Sequence, residues 1–323
     1  MPSSEKVRWG ILGPGRIAGR LLADAGRATG FSVLAAGSRS LPRAQEFAAR
    51  FGLPRAYGSY DALLADREID AVYVGGPNSL HHPVTMRALA AGKHVLCEKP
   101  YSRHPAEVAE AFDAAEAAGL LLMEAFMWRH TPQTRRFMEL LPEVGEIRSI
   151  RSTFGFVLTN QGDVRLDPAL DGGALMDVGC YPISGARLVM GAEPERVFGE
   201  QLLGSSGVDL HFSGLLRFTS GVVAEIVAGF TSDQRSLEVV GAGGTLLARD
   251  PWQGEMGGLL ELNGRPEVVA YVDAYRLEME NLSAAIQGRG RPLLGRADAL
   301  GQARTLDALL RSATTGEAVA LEP

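Results

Sequence analysis

An apolar run from Val7 to Gly13 breaks into Gly13–Pro14–Gly15–Arg16–Ile17–Ala18 and continues as a helix-compatible stretch to Ala28. A strand that passes through a glycine turn into a helix opens a doubly wound α/β domain when the pattern repeats, and here it does. Phe31 to Gly37 reads as a second buried strand, followed by a helix around Arg43 to Arg50 with Ala44, Phe47 and Ala48 at i, i+3, i+4. Tyr60 to Ala65, His82 to Ala91 and Pro105 to Ala118 read as helices, alternating with strands at Ala71 to Val74, His94 to Leu96 and Leu120 to Phe126. Mostly apolar strands alternating with helices predict a parallel sheet covered on both faces.

After Phe126 the rhythm changes. Helices are expected at Pro132 to Leu141 and Gly173 to Met190, with a long strand at Gly145 to Thr159 and several more strands between Glu195 and Arg249. Val222, Ala224, Ile226, Ala228 and Phe230 alternate along one of these, which predicts a largely antiparallel sheet. Two amphipathic helices, Asp273 to Gln287 and Ala297 to Ser312, close the chain. The predicted architecture is α/β: residues 1–126 form a doubly wound parallel-sheet domain, and residues 127–323 form an α+β domain with a largely antiparallel sheet.

The totals narrow the partners. A formal charge of -6 over 323 residues leaves no basic surplus to neutralise phosphates, so a small molecule is expected and not a nucleic acid. The two cysteines, Cys97 and Cys180, and six scattered histidines form no metal-ligand pattern. No metal is expected. No apolar run approaches the ~20 residues of a spanning helix, and the polar start lacks a signal-peptide core, so no membrane and a cytoplasmic setting are expected.

Gly13, Gly15 and Ala18 match a GxGxxA fingerprint: a tight turn, close backbone approach to a pyrophosphate, and tight helix packing. The second strand ends in Gly37–Ser38–Arg39–Ser40, with Arg43 one turn on, where an acidic residue would hold the ribose hydroxyls of NAD. Arginine and serine pair with a 2′-phosphate, so NADP is favoured over NAD; the alternative is a pair of solvated helix-start arginines. The loop Gly75–Gly76–Pro77–Asn78–Ser79–Leu80–His81 follows a strand and precedes a helix, as a nicotinamide-side loop or a simple cap.

Glu98–Lys99–Pro100 stands at the carboxyl end of its strand, where open α/β sheets bind ligands. The proline presents Lys99 from a stiff corner. Asp177 and Tyr181, four apart on a predicted helix, share a face, and Pro182 is expected to kink that helix just past Tyr181. Lys99, Tyr181 and Asp177 together supply an acid, a base and an orienting carboxylate for hydride transfer at a carbinol or carbonyl carbon.

These segments, with Glu124–Ala125–Phe126–Met127–Trp128–Arg129 and Gly172–Gly173–Ala174–Leu175–Met176–Asp177–Val178–Gly179–Cys180–Tyr181, resemble in order the Gfo/Idh/MocA family across essentially the whole chain. Many members carry histidine at the position of Tyr181. The tyrosine form is similar to the branch containing NADP-dependent D-xylose dehydrogenases, dimeric dihydrodiol dehydrogenases and glucose-fructose oxidoreductase. The resemblance implies a Rossmann domain, an open mixed or largely antiparallel second sheet used for a homodimer or tetramer, and a cis Lys99–Pro100 peptide. It implies a lysine–tyrosine pair at the nicotinamide, with Asp177 beside it. Cofactor contacts are expected from Gly13, Gly15, Arg16, Ile17, Ala18, Ser38, Arg39, Arg43, Pro77, Asn78, His81, Glu98 and Lys99. Trp128 and Phe156 join Lys99, Asp177 and Tyr181 as substrate contacts, or else belong to the core. The activity so implied is oxidation of a xylose-like aldose with NADP; a trans-dihydrodiol dehydrogenase and a non-catalytic NADP-binding sensor are the alternatives.

Overall fold

The structure, a computed structural model, describes residues 6–23, 25–28, 30–252 and 258–321. Of the polar start, Met1 to Glu5 lie outside these residues, as does Asp24 in the predicted first helix.

The first half alternates as expected: β1 (Val7–Leu12), α1 (Arg16–Ala23), β2 (Phe31–Gly37), α2 (Leu41–Phe51), β3 (Arg55–Tyr57), α3 (Tyr60–Leu64), β4 (Ala71–Val74), α4 (His81–Ala90), β5 (His94–Glu98), α5 (Pro105–Ala117) and β6 (Leu122–Ala125). The six strands pair in parallel in the order β3-β2-β1-β4-β5-β6, the order of a Rossmann sheet with its crevice between β1 and β4. Covered on both faces, β4 has all four residues buried, and Trp9, Ile11 and Leu12 of β1 are fully buried. That is why these strands read as continuous apolar runs. The short β3, with three half-buried residues, carries no such run and was not foreseen.

The second half comprises α6 (Pro132–Leu140), β7 (Ile147–Gly155), α7 (Cys180–Met190), β8 (Arg196–Leu203), β9 (Asp209–Arg217), β10 (Val223–Gly229), β11 (Gln234–Gly241), β12 (Gly244–Arg249), β13 (Gly258–Leu262), β14 (Arg265–Val269), α8 (Ala274–Ile286), α9 (Arg296–Thr315) and β15 (Val319–Ala320). Nine strands form one sheet, β14-β13-β12-β11-β7-β10-β9-β8-β15. It is mixed and mostly antiparallel, because β7 and β10 alone among these pairs run parallel. Alternation along its strands separates two faces. Ile150, Ser152 and Phe154 of β7 and Ala224, Ile226 and Ala228 of β10 are buried, whereas Arg151 and Glu225 between them form an exposed ion pair.

The predicted boundary at residues 126 and 127 needs one correction. The chain divides into one compact unit of Met1–Ser102, Ala106–Met127 and Asp273–Ala299 and another of Arg103–Pro105, Trp128–Val272 and Leu300–Pro323. Helix α8 returns to the Rossmann unit because buried polar groups there match: the Trp9 indole donates to Ser283 Oγ at 3.0 Å, and Gln287 donates to the Gly30 carbonyl at 3.4 Å. An amphipathic helix pattern says that a face is buried, not against which sheet.

Candidate active site

In the Rossmann unit the glycine turn is built for close approach. Gly13 has φ +80°, and a Cβ there would stand 2.5 Å from the Gly75 carbonyl oxygen, so only glycine fits beside the β4 loop. Gly15 is exposed with open space around it, and Ala18 is buried where α1 meets the sheet. The turn therefore presents Gly15, Arg16 and Ile17 with the α1 N-terminus, a geometry that accepts a pyrophosphate.

At the end of β2, Ser38 is buried, its N–H donates to the Tyr57 carbonyl at 3.1 Å, and its hydroxyl accepts from the Ser40 N–H at 3.3 Å. Arg39 and Arg43 are exposed and, with Arg87, lie close enough to Tyr60 to oppose the rise that burial imposes on its pKa. The residues thus fit a dinucleotide bearing a 2′-phosphate: two cations and a hydroxyl stand where a ribose-binding carboxylate would repel it.

The Glu98–Lys99–Pro100 corner is braced from three sides. The Lys99–Pro100 peptide is cis, as the resemblance implies. Buried His81 contacts the Pro100 carbonyl through Nδ1 at 2.9 Å and the Gly76 carbonyl through Nε2 at 3.3 Å, and the Tyr101 N–H donates to Glu124 Oε1 at 2.8 Å. His81, expected among the cofactor contacts, is here a strut between the Pro77–Asn78 loop and the lysine corner. Glu98 accepts the Tyr73 hydroxyl at 2.7 Å and the Lys99 N–H at 3.3 Å, while Lys99 itself is half-buried. Glu278 of α8 is also buried in this unit, and burial followed by the nearby Glu98 charge pushes its carboxyl well above the usual carboxylate range. Nothing in the sequence marked it.

The second unit holds Asp177 and Tyr181. Leu175–Gly179 forms a π-helical turn that passes into α7 at Cys180, so the expected kink after Tyr181 is replaced by an irregularity before it. Pro182 causes no break because it falls in the first turn of α7, where a missing N–H is tolerated. Asp209, buried at the start of β9, accepts the Leu175 N–H at 2.7 Å and so caps the turn from below. Burial raises its pKa to about 6, against the hydrogen bonds from backbone N–H groups. A carboxyl whose folded pKa lies above its free value of about 3.9 stabilises the fold at low pH. That stability is lost as pH rises from about 4 to about 6, by about 3 kcal/mol, and is flat above. The urea midpoint of wild type is therefore expected to fall relative to that of Asp209→Asn across this window, and a constant difference between the two would remove Asp209 as the titrating group.

An aromatic cluster surrounds Tyr181: Phe154 meets its ring edge-on at 5.1 Å and Trp252 tilts over it at 6.0 Å. Trp252 is fully buried, donates through Nε1 to the Thr153 carbonyl at 2.7 Å, and packs so closely on α7 that a Cβ on Gly185 would stand 2.8 Å from it. Trp128, expected as a substrate wall, is corrected to core: it is 1% exposed and packs edge-on behind Trp252 at 4.9 Å. Phe156 remains half-buried, with the Arg165 guanidinium 5.8 Å from its ring centre. Arg165 Nε donates to Asp177 Oδ2 at 2.6 Å, and Arg235 lies over Phe154 at 5.8 Å. The sequence reading placed specificity on the loops Thr159 to Asp171 and Ser232 to Arg235 without singling out Arg165 or Arg235, and it missed Trp252. The two acids flanking Arg165, Asp163 and Asp167, were its one sequence signal.

Among the described residues no group of histidine, cysteine and carboxylate side chains could hold a metal, and no helix is long and apolar enough to cross a membrane.

Comparison with known proteins matches the same two halves. Residues 7–126 match the model of an oxidoreductase family with an NAD-binding Rossmann fold, and residues 142–247 match a GFO/IDH/MocA C-terminal domain. The chain is 40% identical to D-xylose 1-dehydrogenase (NADP(+)) 2 of Haloferax volcanii, over 98% of this chain and 100% of that protein. It is similar in structure to aldose-aldose oxidoreductase from Caulobacter crescentus complexed with glycerol, with a TM-score of 0.91, 27% identity and coverage of 98% and 100%. A 3-ketoreductase from Actinomadura kijaniata, solved with NADP and TDP-benzene, superposes with a TM-score of 0.90 at 32% identity, covering 95% of this chain and 98% of that one.

Proposed function

The chain belongs to the GFO/IDH/MocA oxidoreductase family, and from that premise we propose that it is an NADP-dependent dehydrogenase that oxidises a CH–OH group of a xylose-like aldose. The observation that carries the reading is the π-helical turn bearing Asp177, in ion pair with Arg165, one turn before Tyr181, whose ring is packed by Phe154 and Trp252. A cofactor-binding sensor has no use for an ionised carboxylate and a phenol held in that way.

NADP supplies the hydride acceptor when bound, held by the Gly13–Ala18 turn, by Ser38, Arg39 and Arg43 at the 2′-phosphate, and by the Pro77–Asn78 loop and the Glu98–Lys99 corner. Tyr181 takes the proton of the reacting hydroxyl. Lys99, as an ammonium, polarises the oxygen of the reacting group. Asp177 accepts a neighbouring hydroxyl and so selects a polyol. The proton then leaves to solvent.

The test is near-ultraviolet absorbance with NADP and separately NAD, over aldopentoses, aldohexoses and an aromatic trans-dihydrodiol. The aldose reading expects an aldopentose to be best. The half-buried ring of Phe156 favours the trans-dihydrodiol as the second reading, and faster turnover of that compound would select it. Replacing Arg39 and Arg43 together by alanine is expected to lower kcat/KM with NADP by about 10²- to 10⁴-fold and leave NAD little changed, since each lost charge-assisted bond costs about 1.5–3 kcal/mol. An equal loss with both cofactors would take these arginines out of 2′-phosphate recognition.

Two further features belong to this reading. The sheet face bearing Arg151 and Glu225 also exposes Leu215, at 44%, and a second copy of the chain in a homodimer or tetramer covers it. A monomer in light scattering would contradict this. The two cysteines are buried and unpaired with each other, in keeping with the reducing cytoplasm.

A further inference from the structure

We propose that Arg165 is a positioning residue for the reaction: it fixes the direction of the Asp177 carboxylate and holds it ionised, so that Asp177 acts on substrate as an acceptor only. This rests on the reading of the site as that of a dehydrogenase for a hydroxylated substrate.

The geometry around Arg165 is over-determined. Its Nε donates to Asp177 Oδ2 at 2.6 Å and its Nη1 to Asp163 Oδ1 at 3.1 Å, and both partners are largely buried. The guanidinium carbon stands 5.8 Å from the Phe156 ring centre, a cation–π contact that adds a third hold on the side chain. Its backbone is held as firmly. The Arg165 N–H donates to Asp163 Oδ1 at 3.0 Å, and its carbonyl accepts the Gly173 N–H at 2.9 Å. A Cβ on Gly172 would stand 2.4 Å from that carbonyl, and Gly173 has φ +114°. The paired glycines thus let the Asp163–Leu166 segment close onto the turn that carries Asp177.

A surface arginine that merely balanced charge would need none of this. The chain spends two glycines, a capping aspartate and an aromatic face on one side chain whose far end meets Asp177. Burial opposes the arginine charge, but Asp177 and then Asp163 outweigh it and raise its pKa. The pair therefore remains ionic.

Other titratable groups on the elements packed against the turn are engaged elsewhere. Asp209 of β9 caps Leu175, and His211 of β9 contacts Ser213 Oγ at 3.2 Å. Glu225 of β10 and Arg151 of β7 pair on the opposite sheet face. Arg187 of α7 pairs with Glu193, and the Cys180 thiol donates to the Asp177 backbone carbonyl at 3.6 Å. On α7 Tyr181 is the remaining group, one turn from Asp177. Arg165 is thus a cation in direct contact with the Asp177 carboxylate.

The experiment is carboxyl carbon NMR on the full-length protein labelled at aspartate, with the Asp177 resonance assigned by its loss in Asp177→Asn. In Arg165→Gln the Asp177 titration is expected to move up by about 1–3 pH units relative to wild type. In Arg165→Lys, which keeps the charge and loses the fork, it moves by less. With the best aldose, the acid limb of kcat/KM moves up in the same order. An unchanged Asp177 titration in folded Arg165→Gln overturns the proposal, as does an activity loss with no movement of the acid limb. If Arg165→Gln does not fold, Arg165→Lys alone decides by the same two readouts. If wild type oxidises no substrate of the panel, the dehydrogenase reading fails, while the NMR titration still decides what Arg165 does to Asp177.

Discussion

Lys99→Ala is expected to lower kcat/KM by about 10²- to 10⁴-fold, the range spanned by a positioned acid–base group, while thermal stability changes little. The separation of the two effects follows from how the corner is held. The braces are the contact between His81 and the Pro100 carbonyl, the bond from the Tyr101 N–H to Glu124, and the Tyr73 hydroxyl on Glu98; none of them uses the Lys99 side chain. Lys99 is half-buried between buried Glu98 and Pro100, so truncation removes the amine without opening a core cavity. NADP quenching of intrinsic fluorescence should persist with a weakened affinity, because the Gly13–Ala18 turn and the Ser38, Arg39 and Arg43 groups remain. Full turnover by the variant would remove Lys99 from the chemistry and leave Tyr181 to act alone.

Trp252→Ala carries the second large effect, and here stability and activity should fall together. The side chain is fully buried, lies 4.9 Å from Trp128, 6.4 Å from Phe154 and 6.0 Å from Tyr181, and satisfies the Thr153 carbonyl. Truncating a buried tryptophan to alanine costs about 3–5 kcal/mol, from lost transfer free energy and from the cavity left behind. The cavity would open directly against Tyr181, so kcat should fall as the phenol gains rotational freedom. Trp252→Phe keeps an aromatic wall but leaves the Thr153 carbonyl without its donor, and should recover most of the activity and part of the stability. Denaturant unfolding followed by turnover of the folded fraction separates the two losses. A Trp252→Ala protein with native stability would mean that the cluster repacks and that Tyr181 is held by α7 alone.

Most of the Rossmann half was legible in the sequence because its strands are buried on both faces and its turns are punctuated by glycine. Val7–Leu12, Phe31–Gly37 and Ala71–Val74 formed where the apolar runs lie, and Gly13 marks the one turn whose φ and close neighbour admit no side chain. The lysine corner was legible for a similar reason, since a proline after a strand end leaves the backbone few choices. The second half was legible as alternation, which separates the two faces of a strand and leaves its neighbour open. The parallel pairing of β7 with β10 inside an otherwise antiparallel sheet is set by partners more than sixty residues apart. No local pattern encodes it.

The site divides along the same line. The sequence by itself singled out candidate groups whose type and spacing ligand or backbone geometry would require: the Gly13–Ala18 turn, Ser38 with Arg39 and Arg43, Glu98–Lys99–Pro100, and Asp177 with Tyr181. Only the tertiary structure decided which side chains surround them. It moved Trp128 behind Trp252, made His81 a strut, returned α8 to the first unit through Trp9 and Ser283, and brought Arg165 onto Asp177. The physical reason is that a turn or a strand end is specified by the conformational limits of a few neighbouring residues. Burial, pairing and charge compensation depend on groups that only the folded chain brings within a few ångströms of one another.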